Sequence, residues 1–419
     1  MSYKLSQLAE TLIGSEIVKL GNEINTRIKN GETIYNFTIG DFDPSIFPIP
    51  QTLEDEIHLA YHQHKTNYPA AEGILPLRES ISKFLNHYFQ LEYNVNEIQV
   101  ASGGRPLIYS LYRAIVNEND AVMYPIPSWN NNHYTHFNSG KHIVIETKAE
   151  NNFMPTVDEI KPHIKNIRLI SLCSPLNPTG TIFKKEQLLS ICNLIIDENK
   201  LRSEDNKLFL LYDQIYSTLI YNNNEHYNPV GLVPEMKNYT VFVDGISKSL
   251  SATGLRLGWS MGPDYIMAKV KAILSHVGAW APMPEQVATA NYLNKWDDID
   301  QYFTKFKSQL SLRLNKLHDG FQSLKNIGFN VDSIEPQAAI YLTVKLDLKG
   351  KITKEGKTLT NQSDVWQYIL DKAHLAIVPF SSFGTDKEFP WYRISVGTCK
   401  LDLIPQILND LNIALSELE

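Results

Sequence analysis

Three reactive residues follow short apolar runs in the middle of this 419-residue chain. Asp213 ends the run KLFLLYD, Tyr216 lies three residues beyond it, and Lys248 lies four residues beyond the run YTVFVD. A lysine amine can condense with an aldehyde, and a carboxylate can keep a ring nitrogen protonated so that the ring accepts electrons. A phenol can hydrogen-bond a phenolate oxygen. Together, these residue types indicate covalent chemistry on an aromatic aldehyde.

A second group of residues offers an anion cradle, an amide and a flat ring. The Gly-rich turn at 102–105 precedes a helical pattern, and backbone N–H groups at the start of a helix bind anions. Trp129 follows another apolar run, and Asn177 lies within SPLNPTGT. Each feature alone is also typical of a turn, a cap or a surface side chain. With Asp213 and Lys248, they suit a planar, phosphorylated, basic heteroaromatic aldehyde.

The elements that position these residues are strands that alternate with helices. Helical periodicity at 106–116 and 186–199 separates short runs rich in branched residues. This alternation predicts an α/β fold with a mostly parallel sheet that is covered by helices on both faces. Ligands of such sheets bind at the carboxyl ends of the strands, where the candidate residues lie. The predicted strands are 97–102, 120–125, 142–147, 167–173, 207–213, 239–244 and 257–262.

The C-terminal part of the chain has a different pattern. A long helical periodicity at 298–326 is followed by strand-like runs and two further helical patterns, which together predict a smaller α+β domain. The predicted strands of this domain are AAIYLTVKL, HLAIVPF and YRISVG. We predict an N-terminal arm with part of the small domain at 1–45, a large domain at 46–295, and the small C-terminal domain at 296–419.

Composition and charge exclude several classes of protein. The net charge of −7 argues against general nucleic-acid binding, which needs a basic surface. The sequence has no run of about 18 apolar residues that predicts a membrane span, and its N-terminus lacks the apolar core of a signal peptide. Cys173, Cys192 and Cys399 form no CxxC pair, so neither a disulfide scaffold nor a metal cluster is predicted. We expect a cytoplasmic protein without nucleic-acid, membrane or metal partners.

The stretch GISKSLSATGLRLG, residues 245–258, resembles the lysine signature of the class I and II aminotransferases. SPLNPTGT, YDQIY, NYPAAEGILPLRES and WYRISVG match the same family in order and spacing. The resemblance extends over nearly the whole chain, from about residue 30 to residue 400. It implies the fold of the aspartate aminotransferase-like pyridoxal-phosphate enzymes, fold type I. That fold has a mixed, mostly parallel sheet with helices on both faces of a large domain, and a smaller α+β domain.

The resemblance implies a role for each matched residue. Lys248 is implied to hold pyridoxal 5'-phosphate as a Schiff base and to move the proton of the substrate Cα. Asp213 is implied to pair with the ring nitrogen, and Tyr216 to bind the phenolate oxygen, which makes these three residues the implied catalytic set. The other implied cofactor contacts are Gly103, Gly104, Arg105, Trp129, Asn177, Arg256 and, from a neighbouring subunit, Tyr68.

The implied reaction moves an amino group from an L-amino acid to a 2-oxo acid by a ping-pong route. Arg393 is implied to grip the substrate α-carboxylate, with Gly40 and Asn177 beside it. Because Tyr68 resembles a tyrosine that reaches the phosphate of the neighbouring subunit, a homodimer with shared active sites is implied. The N-terminal segment is expected to act with the small domain as a lid that closes over the site.

The chain departs from the family pattern at several positions. Gly245 stands where many relatives have a serine that meets the phosphate, so this contact is either lost or made by Ser247 or Ser249. Phe380 replaces a frequent glycine and is expected to reshape the mouth of the pocket. Trp280 falls in the region that lines the substrate side chain in relatives. It either favours an apolar or aromatic substrate or packs at the subunit interface.

Two other functions remain open on this scaffold. A β/γ-eliminating lyase, such as a C–S lyase, uses the same cofactor residues, so the motifs alone do not separate it from an aminotransferase. A regulator that uses the fold as an effector sensor needs an added DNA-binding domain. The acidic chain and its short N-terminal segment disfavour that class.

Overall fold

A computed structural model describes residues 4–419 of the chain. The strands are β1 Tyr35–Asn36, β2 Ile98–Ala101, β3 Ala121–Ile126, β4 Lys141–Glu146, β5 Ile167–Cys173, β6 Phe209–Asp213, β7 Thr240–Gly245, β8 Gly258–Met261, β9 Val331–Ser333, β10 Tyr341–Leu346, β11 Leu375–Ala376, β12 Val378–Pro379 and β13 Trp391–Ser395. The helices are α1 Gln7–Thr11, α2 Glu16–Lys29, α3 Gln51–His62, α4 Leu75–Phe89, α5 Gly104–Ile115, α6 Asn131–Phe137, α7 Val157–Ile160, α8 Lys185–Leu201, α9 Pro229–Leu232, α10 Ile246–Ser249, α11 Asp264–Val277, α12 Met283–Tyr292, α13 Trp296–Asn326, α14 Gln362–Ala373 and α15 Ile404–Ser416.

Seven strands form the large sheet, in the order β2-β8-β7-β6-β5-β3-β4. Strands β3 to β7 pair in parallel, whereas β8 runs antiparallel to both of its neighbours, β2 and β7. Every strand of this sheet overlaps one of the seven runs predicted from the sequence. The prediction of a mostly parallel mixed sheet is therefore confirmed.

Both faces of the large sheet are buried, as the apolar character of its strands requires. Along β6, Leu210 and Tyr212 belong to one apolar core, whereas Phe209 and Leu211 belong to another on the opposite face. This alternation follows from the two-residue period of a strand. Helices α4, α8 and α12 contribute to the first core, and α5 and α11 contribute to the second.

A smaller antiparallel sheet, ordered β12-β13-β10-β9, has its own core with α14, α15 and most of α13. The 31-residue helix α13 enters both cores, because Ile299 and Phe303 pack with the large sheet and Phe306 packs with the small one. The N-terminal residues Phe37 and Phe42 also pack in the small core. The division into an arm at 1–45, a large domain at 46–295 and a small domain at 296–419 stays a prediction, and α13 crosses between the two cores.

The run 374–380 does not form one strand, in contrast to the prediction. Leu375–Ala376 pairs in parallel with β1, whereas Val378–Pro379 pairs with β13 of the small sheet. Both pieces are largely buried, so the apolar pattern is continuous although the pairing partner changes. Hydrophobicity reports burial, whereas strand pairing depends on where the neighbouring backbone lies.

Candidate active site

A cavity of about 550 Å³ lies at the carboxyl ends of the parallel strands. Residues from the ends of β5 and β6, from α5 and α10, and from the small sheet line its wall. Ten of the twelve residues predicted from the sequence line this cavity: Gly40, Gly104, Arg105, Trp129, Asn177, Asp213, Tyr216, Lys248, Arg256 and Arg393. The fold therefore brings these residues together at one cavity although they are far apart in the sequence.

Lys248 enters the cavity from α10, the short helix that directly follows β7. Its Nζ donates a hydrogen bond to the carbonyl oxygen of Gly40 at 2.7 Å. Burial lowers the Lys248 pKa to about 8; Asp41 opposes this shift, and three arginines add to it. A fraction of the amine is therefore unprotonated near neutral pH, which is the condition for attack on a carbonyl carbon.

The turn before Lys248 explains why a serine is absent at position 245. A Cβ on Gly245 would lie 2.7 Å from the Cα of Gly258 and 2.9 Å from the carbonyl oxygen of Leu257. Both contacts are with backbone atoms, which do not move aside as the end of a side chain does. Of the two candidate replacements, Ser247 lines the cavity, whereas the Ser249 hydroxyl donates to the carbonyl oxygen of Gly245.

Asp213 ends β6 and presents a carboxylate that has no cationic partner within the described chain. Burial raises its pKa to about 6, and the backbone N–H of Ile215, 3.1 Å from Oδ1, opposes this shift only in part. A buried carboxylate costs free energy unless a charge or donor compensates it. The site therefore fits a ligand with a protonated ring nitrogen at this position.

Arg393 lies on β13 and is 2% exposed, and like Asp213 it has no oppositely charged partner among residues 4–419. Its Nη1 donates to Oδ1 of Asn177 at 3.0 Å, and its Nη2 donates to the carbonyl oxygen of Thr38 at 2.7 Å. Its Nε is buried without a hydrogen-bond partner in this structure. The rings of Tyr341 and Phe383 lie 4.7 and 5.0 Å from the guanidinium carbon. A cation held in this way suits a carboxylate ligand.

The Gly-rich turn between β2 and α5 forms the opposite end of the cavity. Gly103 has a φ of +91°, and a Cβ there would lie 2.5 Å from Nη2 of Arg256. Arg256 is fixed by hydrogen bonds to the carbonyl oxygens of Thr253 and Ser102, at 2.7 and 3.0 Å. The first N–H groups of α5 have no acceptor within their helix. This end therefore fits a phosphate.

Arg105 contributes a side chain as well as its backbone. Its guanidinium carbon lies 4.8 Å from the centre of the Trp129 ring, and both residues line the cavity. The arginine stacks on one face of the indole, and such a stack holds both groups in place. A planar ligand therefore has only the other face of Trp129 available.

Several lining residues were missed by the sequence analysis. Tyr341 places its hydroxyl 2.6 Å from the hydroxyl of Tyr216, and Asp41 accepts a hydrogen bond from Thr253 at 2.6 Å. Cys173, paired with Asp213 across β5 and β6, also lines the cavity. The sequence offers one signal for Tyr341, a hydroxyl-bearing ring within the apolar run AAIYLTVKL. This signal does not indicate that the hydroxyl points towards the cavity.

The N-terminal helix α2 covers one side of the cavity. Ser15 and five residues of α2 line it, among them Val18, Asn22 and Asn25. Gly40 also lines the cavity, and a Cβ on it would lie 2.8 Å from the Tyr341 hydroxyl. The N-terminal segment therefore forms part of the cavity wall, and its closing over the site stays a prediction.

Four residues with expected site roles do not line the cavity of their own chain: Gly103, which directly precedes the lining residue Gly104, and Tyr68, Trp280 and Phe380. Tyr68 is 83% exposed, and its ring packs edge-to-face on Trp280 at 5.3 Å. Trp280 does not line the cavity, so it does not contact a substrate bound by its own chain. The expectation that Phe380 reshapes the pocket mouth is wrong, because this ring is fully buried against Phe153 and away from the cavity.

None of the helices within residues 4–419 has the length and apolar character needed to cross a membrane. In the same range, no three His, Cys, Asp or Glu side chains converge in a way that would hold a metal ion.

Comparison with known proteins assigns the chain to a class. Residues 32–411 match the family model described as aminotransferase class I and II. The chain therefore belongs to the class I and II aminotransferase family.

Within this family, the relatives that it resembles include aspartate aminotransferases. The enzymes of Rhizobium meliloti strain 1021 and Bacillus sp. strain YM-2 are each 27% identical to it. These matches cover 93% of this chain and 91% of the first protein, and 98% of this chain and 99% of the second. The prediction that this chain is an aminotransferase is confirmed, and no observation favours the lyase.

Solved structures agree with this assignment. The aspartate aminotransferase of Rhizobium meliloti superposes with a TM-score of 0.88 at 25% identity, and the match covers all of both chains. The aspartate aminotransferase of Thermus thermophilus with maleate superposes with a TM-score of 0.87 at 22% identity, over 99% of this chain and all of that one. The fold type I prediction is therefore confirmed.

Proposed function

We propose that this aminotransferase uses pyridoxal 5'-phosphate to move an amino group from an L-amino acid to a 2-oxo acid. One observation carries the proposal: a single cavity contains the Lys248 amine with its lowered pKa, the Asp213 carboxylate and the Arg393 guanidinium. Neither Asp213 nor Arg393 has an opposite charge within the described chain, so each is suited to a charge brought by a ligand.

The cavity residues fit the cofactor from end to end. Lys248 would bond to its aldehyde carbon, Asp213 would pair with its protonated ring nitrogen, and Tyr216 and Asn177 would bind its phenolate oxygen. The free face of Trp129 suits the planar ring. The phosphate would take the N–H groups of Gly103, Gly104 and Arg105 together with the Arg256 side chain.

The cofactor, when bound, supplies an aromatic ring that accepts the electrons left on the substrate Cα. The chain supplies binding and proton transfer. Arg393 binds the α-carboxylate, with Nε as the free donor, while Asn177 and Gly40 limit how the substrate turns. The Lys248 amine removes the proton from the substrate Cα, and a pKa of about 8 suits a base at neutral pH.

We also propose that the working enzyme is a cytoplasmic homodimer with shared active sites. Tyr68 lies at the surface with Trp280, where a second subunit has access to both. In that assembly, Tyr68 reaches the phosphate of the partner's site. The three free cysteines suit a reducing compartment.

The first experiment is a half-reaction with single amino acids and no oxo acid. Purified enzyme loaded with the cofactor is mixed with each amino acid in turn, aspartate first because of the named relatives, and the absorption band is followed. Bleaching to the amino form of the cofactor, with one equivalent of the matching oxo acid released, supports the proposal and names the donor. Continuous release of ammonia with an unchanged band contradicts it and indicates a lyase. Lys248→Ala is the control that should show no turnover.

A further inference from the structure

Tyr341 begins β10 of the small sheet and reaches into the active site. Its hydroxyl oxygen lies 2.6 Å from that of Tyr216, which follows β6 of the large sheet. Both tyrosines are at most 3% exposed, so water does not compete for this contact. The contact joins the two sheets at the place where the proposed cofactor contact of Tyr216 lies.

The number of protons sets the direction of this hydrogen bond. Each tyrosine hydroxyl has one proton to donate. If Tyr216 donates its proton to the phenolate oxygen of the cofactor, then the proton between the two tyrosines belongs to Tyr341. A hydroxyl that accepts one hydrogen bond becomes a stronger donor in the next, particularly where the surroundings are dry.

The ring of Tyr341 has a separate contact. It lies 4.7 Å from the guanidinium carbon of Arg393, whose Nε is free to bind a carboxylate. The hydroxyl of Tyr341 therefore contacts a proposed cofactor-binding residue, Tyr216, while its ring contacts the proposed substrate-binding residue, Arg393.

We propose that Tyr341 is a positioning residue that acts in two ways: its hydroxyl strengthens the hydrogen bond from Tyr216 to the cofactor, and its ring holds Arg393 in place for the substrate carboxylate. This inference rests on the proposed function, since it needs the cofactor in the cavity.

The charged and titratable groups that face this pair come from several elements. Arg393 lies on β13 and Asp41 on the N-terminal segment, Cys173 ends β5, and Lys248 on α10 lies 5.9 Å from the centre of the Tyr216 ring. Tyr341→Phe leaves all of these groups in place, so a change in this variant reports the hydroxyl alone.

The test is a pH titration of the absorption spectrum of the bound cofactor. In Tyr341→Phe we expect the midpoint to rise by about half a pH unit, because the phenolate oxygen loses stabilisation and the neighbouring proton is held more tightly. Tyr216→Phe should give a larger rise in the same direction. The double variant should resemble Tyr216→Phe alone, because Tyr341 acts through Tyr216.

The control is Tyr221→Phe. The Tyr221 hydroxyl is also buried and donates to the carbonyl oxygen of Ala339 at 2.6 Å, two residues from Tyr341, but it does not line the cavity. This variant should lose similar packing and hydrogen bonding without a shift of the midpoint.

Kinetics separate the two roles of Tyr341. Tyr341→Phe keeps the ring, so its KM for the amino acid should match that of the unaltered enzyme, whereas Tyr341→Leu should raise KM about tenfold because Arg393 loses its support. An unchanged midpoint in Tyr341→Phe, or effects that add in the double variant, overturns the role of the hydroxyl. An unchanged KM in Tyr341→Leu overturns the role of the ring. If neither the unaltered enzyme nor any of the variants binds the cofactor, the proposed function itself is wrong.

Discussion

Asp213 and Lys248 are buried ionisable groups whose pKa values are both moved towards neutrality. Burial raises the Asp213 pKa to about 6 and lowers the Lys248 pKa to about 8. Each shift means that the charged form is less stable in the folded chain than in water. The two residues thus reduce the stability of the cofactor-free protein, and a ligand that supplies a cationic ring and an aldehyde relieves that cost.

The raised pKa of Asp213 makes the stability of the cofactor-free protein depend on pH. A carboxyl with a raised folded pKa binds its proton more tightly when folded, so stability is highest below the unfolded pKa and falls as the pH rises to about 6. We expect Asp213→Asn to remove this fall and to gain up to about 3 kcal/mol at pH 7 relative to pH 4. Urea unfolding at both pH values measures the difference.

A second aspartate, Asp43, should change the pH dependence of stability in the opposite direction. Hydrogen bonds from Ser45 lower the Asp43 pKa, so its contribution is present above the unfolded pKa and is lost as the pH falls. Asp43→Asn should therefore lose stability at pH 7 relative to pH 4. A gain of equal size in both variants would show that burial at Asp213 is not the cause.

Residues in local motifs were predictable from the sequence, whereas residues brought in by tertiary contacts were not. Lys248, Asp213 and Asn177 stand at strand ends within motifs whose spacing carries the signal, and all three line the cavity. Tyr341 enters only because β10 pairs with β13 beside Arg393. Nothing in the spacing of Tyr341 indicates that its hydroxyl meets Tyr216 from 125 positions away.

Short turns between strands and helices do most to shape the site. Strand β2 leads through Gly103 into α5, and β7 leads through Gly245 into α10. The strands themselves were predictable because both faces of the large sheet are apolar. The split of 374–380 between two sheets was not, because an apolar run carries no information about its pairing partner.

Gly103→Ala tests the turn at the phosphate end. The added Cβ would displace the Arg256 side chain and strain a backbone with a φ of +91°. We expect a stability loss of about 1–3 kcal/mol from the backbone and a weakening of cofactor binding of about tenfold from the lost charged contact. Gly350→Ala is the matched control, since its φ is +90° and nothing lies near its Cβ.

The test compares Gly103→Ala with Gly350→Ala in stability and in affinity for the cofactor. Equilibrium binding of the cofactor and thermal unfolding are measured on both. Gly350→Ala should lose stability yet bind the cofactor normally. Equal affinities for the cofactor in the two variants would exclude Arg256 and Gly103 from the phosphate site.

Gly245→Ser tests whether the turn before Lys248 has room for a side chain at position 245. Its Cβ would meet backbone of Gly258 and Leu257 below 3 Å, so we expect a loss of about 1–3 kcal/mol from overpacking. Gly254→Ser, four residues before Gly258 in the same signature, has open space and should be nearly neutral. Guanidinium unfolding compares the two. If Gly245→Ser has normal stability and binds the cofactor more tightly, the prediction is wrong, because the backbone at 257–258 must then move away from β7 at little cost.

The proposed active site joins parts of the chain that are far apart in the sequence. The large sheet supplies Lys248 and Asp213, the small sheet supplies Arg393, and the N-terminal segment supplies Gly40. Because residues of both sheets line the cavity, a shift of one sheet relative to the other would change its shape. Residues in one chain account for every proposed contact except that of Tyr68.

Subunit mixing tests whether Tyr68 completes the site of a partner. Tyr68→Ala and Lys248→Ala are each expected to be nearly inactive as pure proteins. After mixing and reassociation, half of the dimers are mixed, and each of these has one site with both native residues. Activity should therefore recover to about one quarter of the unaltered enzyme. Mixing Asp213→Asn with Lys248→Ala is the control, because both residues line the cavity of one chain and no native site forms. Recovery in the control, or none in the first mixture, would place Tyr68 outside a shared site.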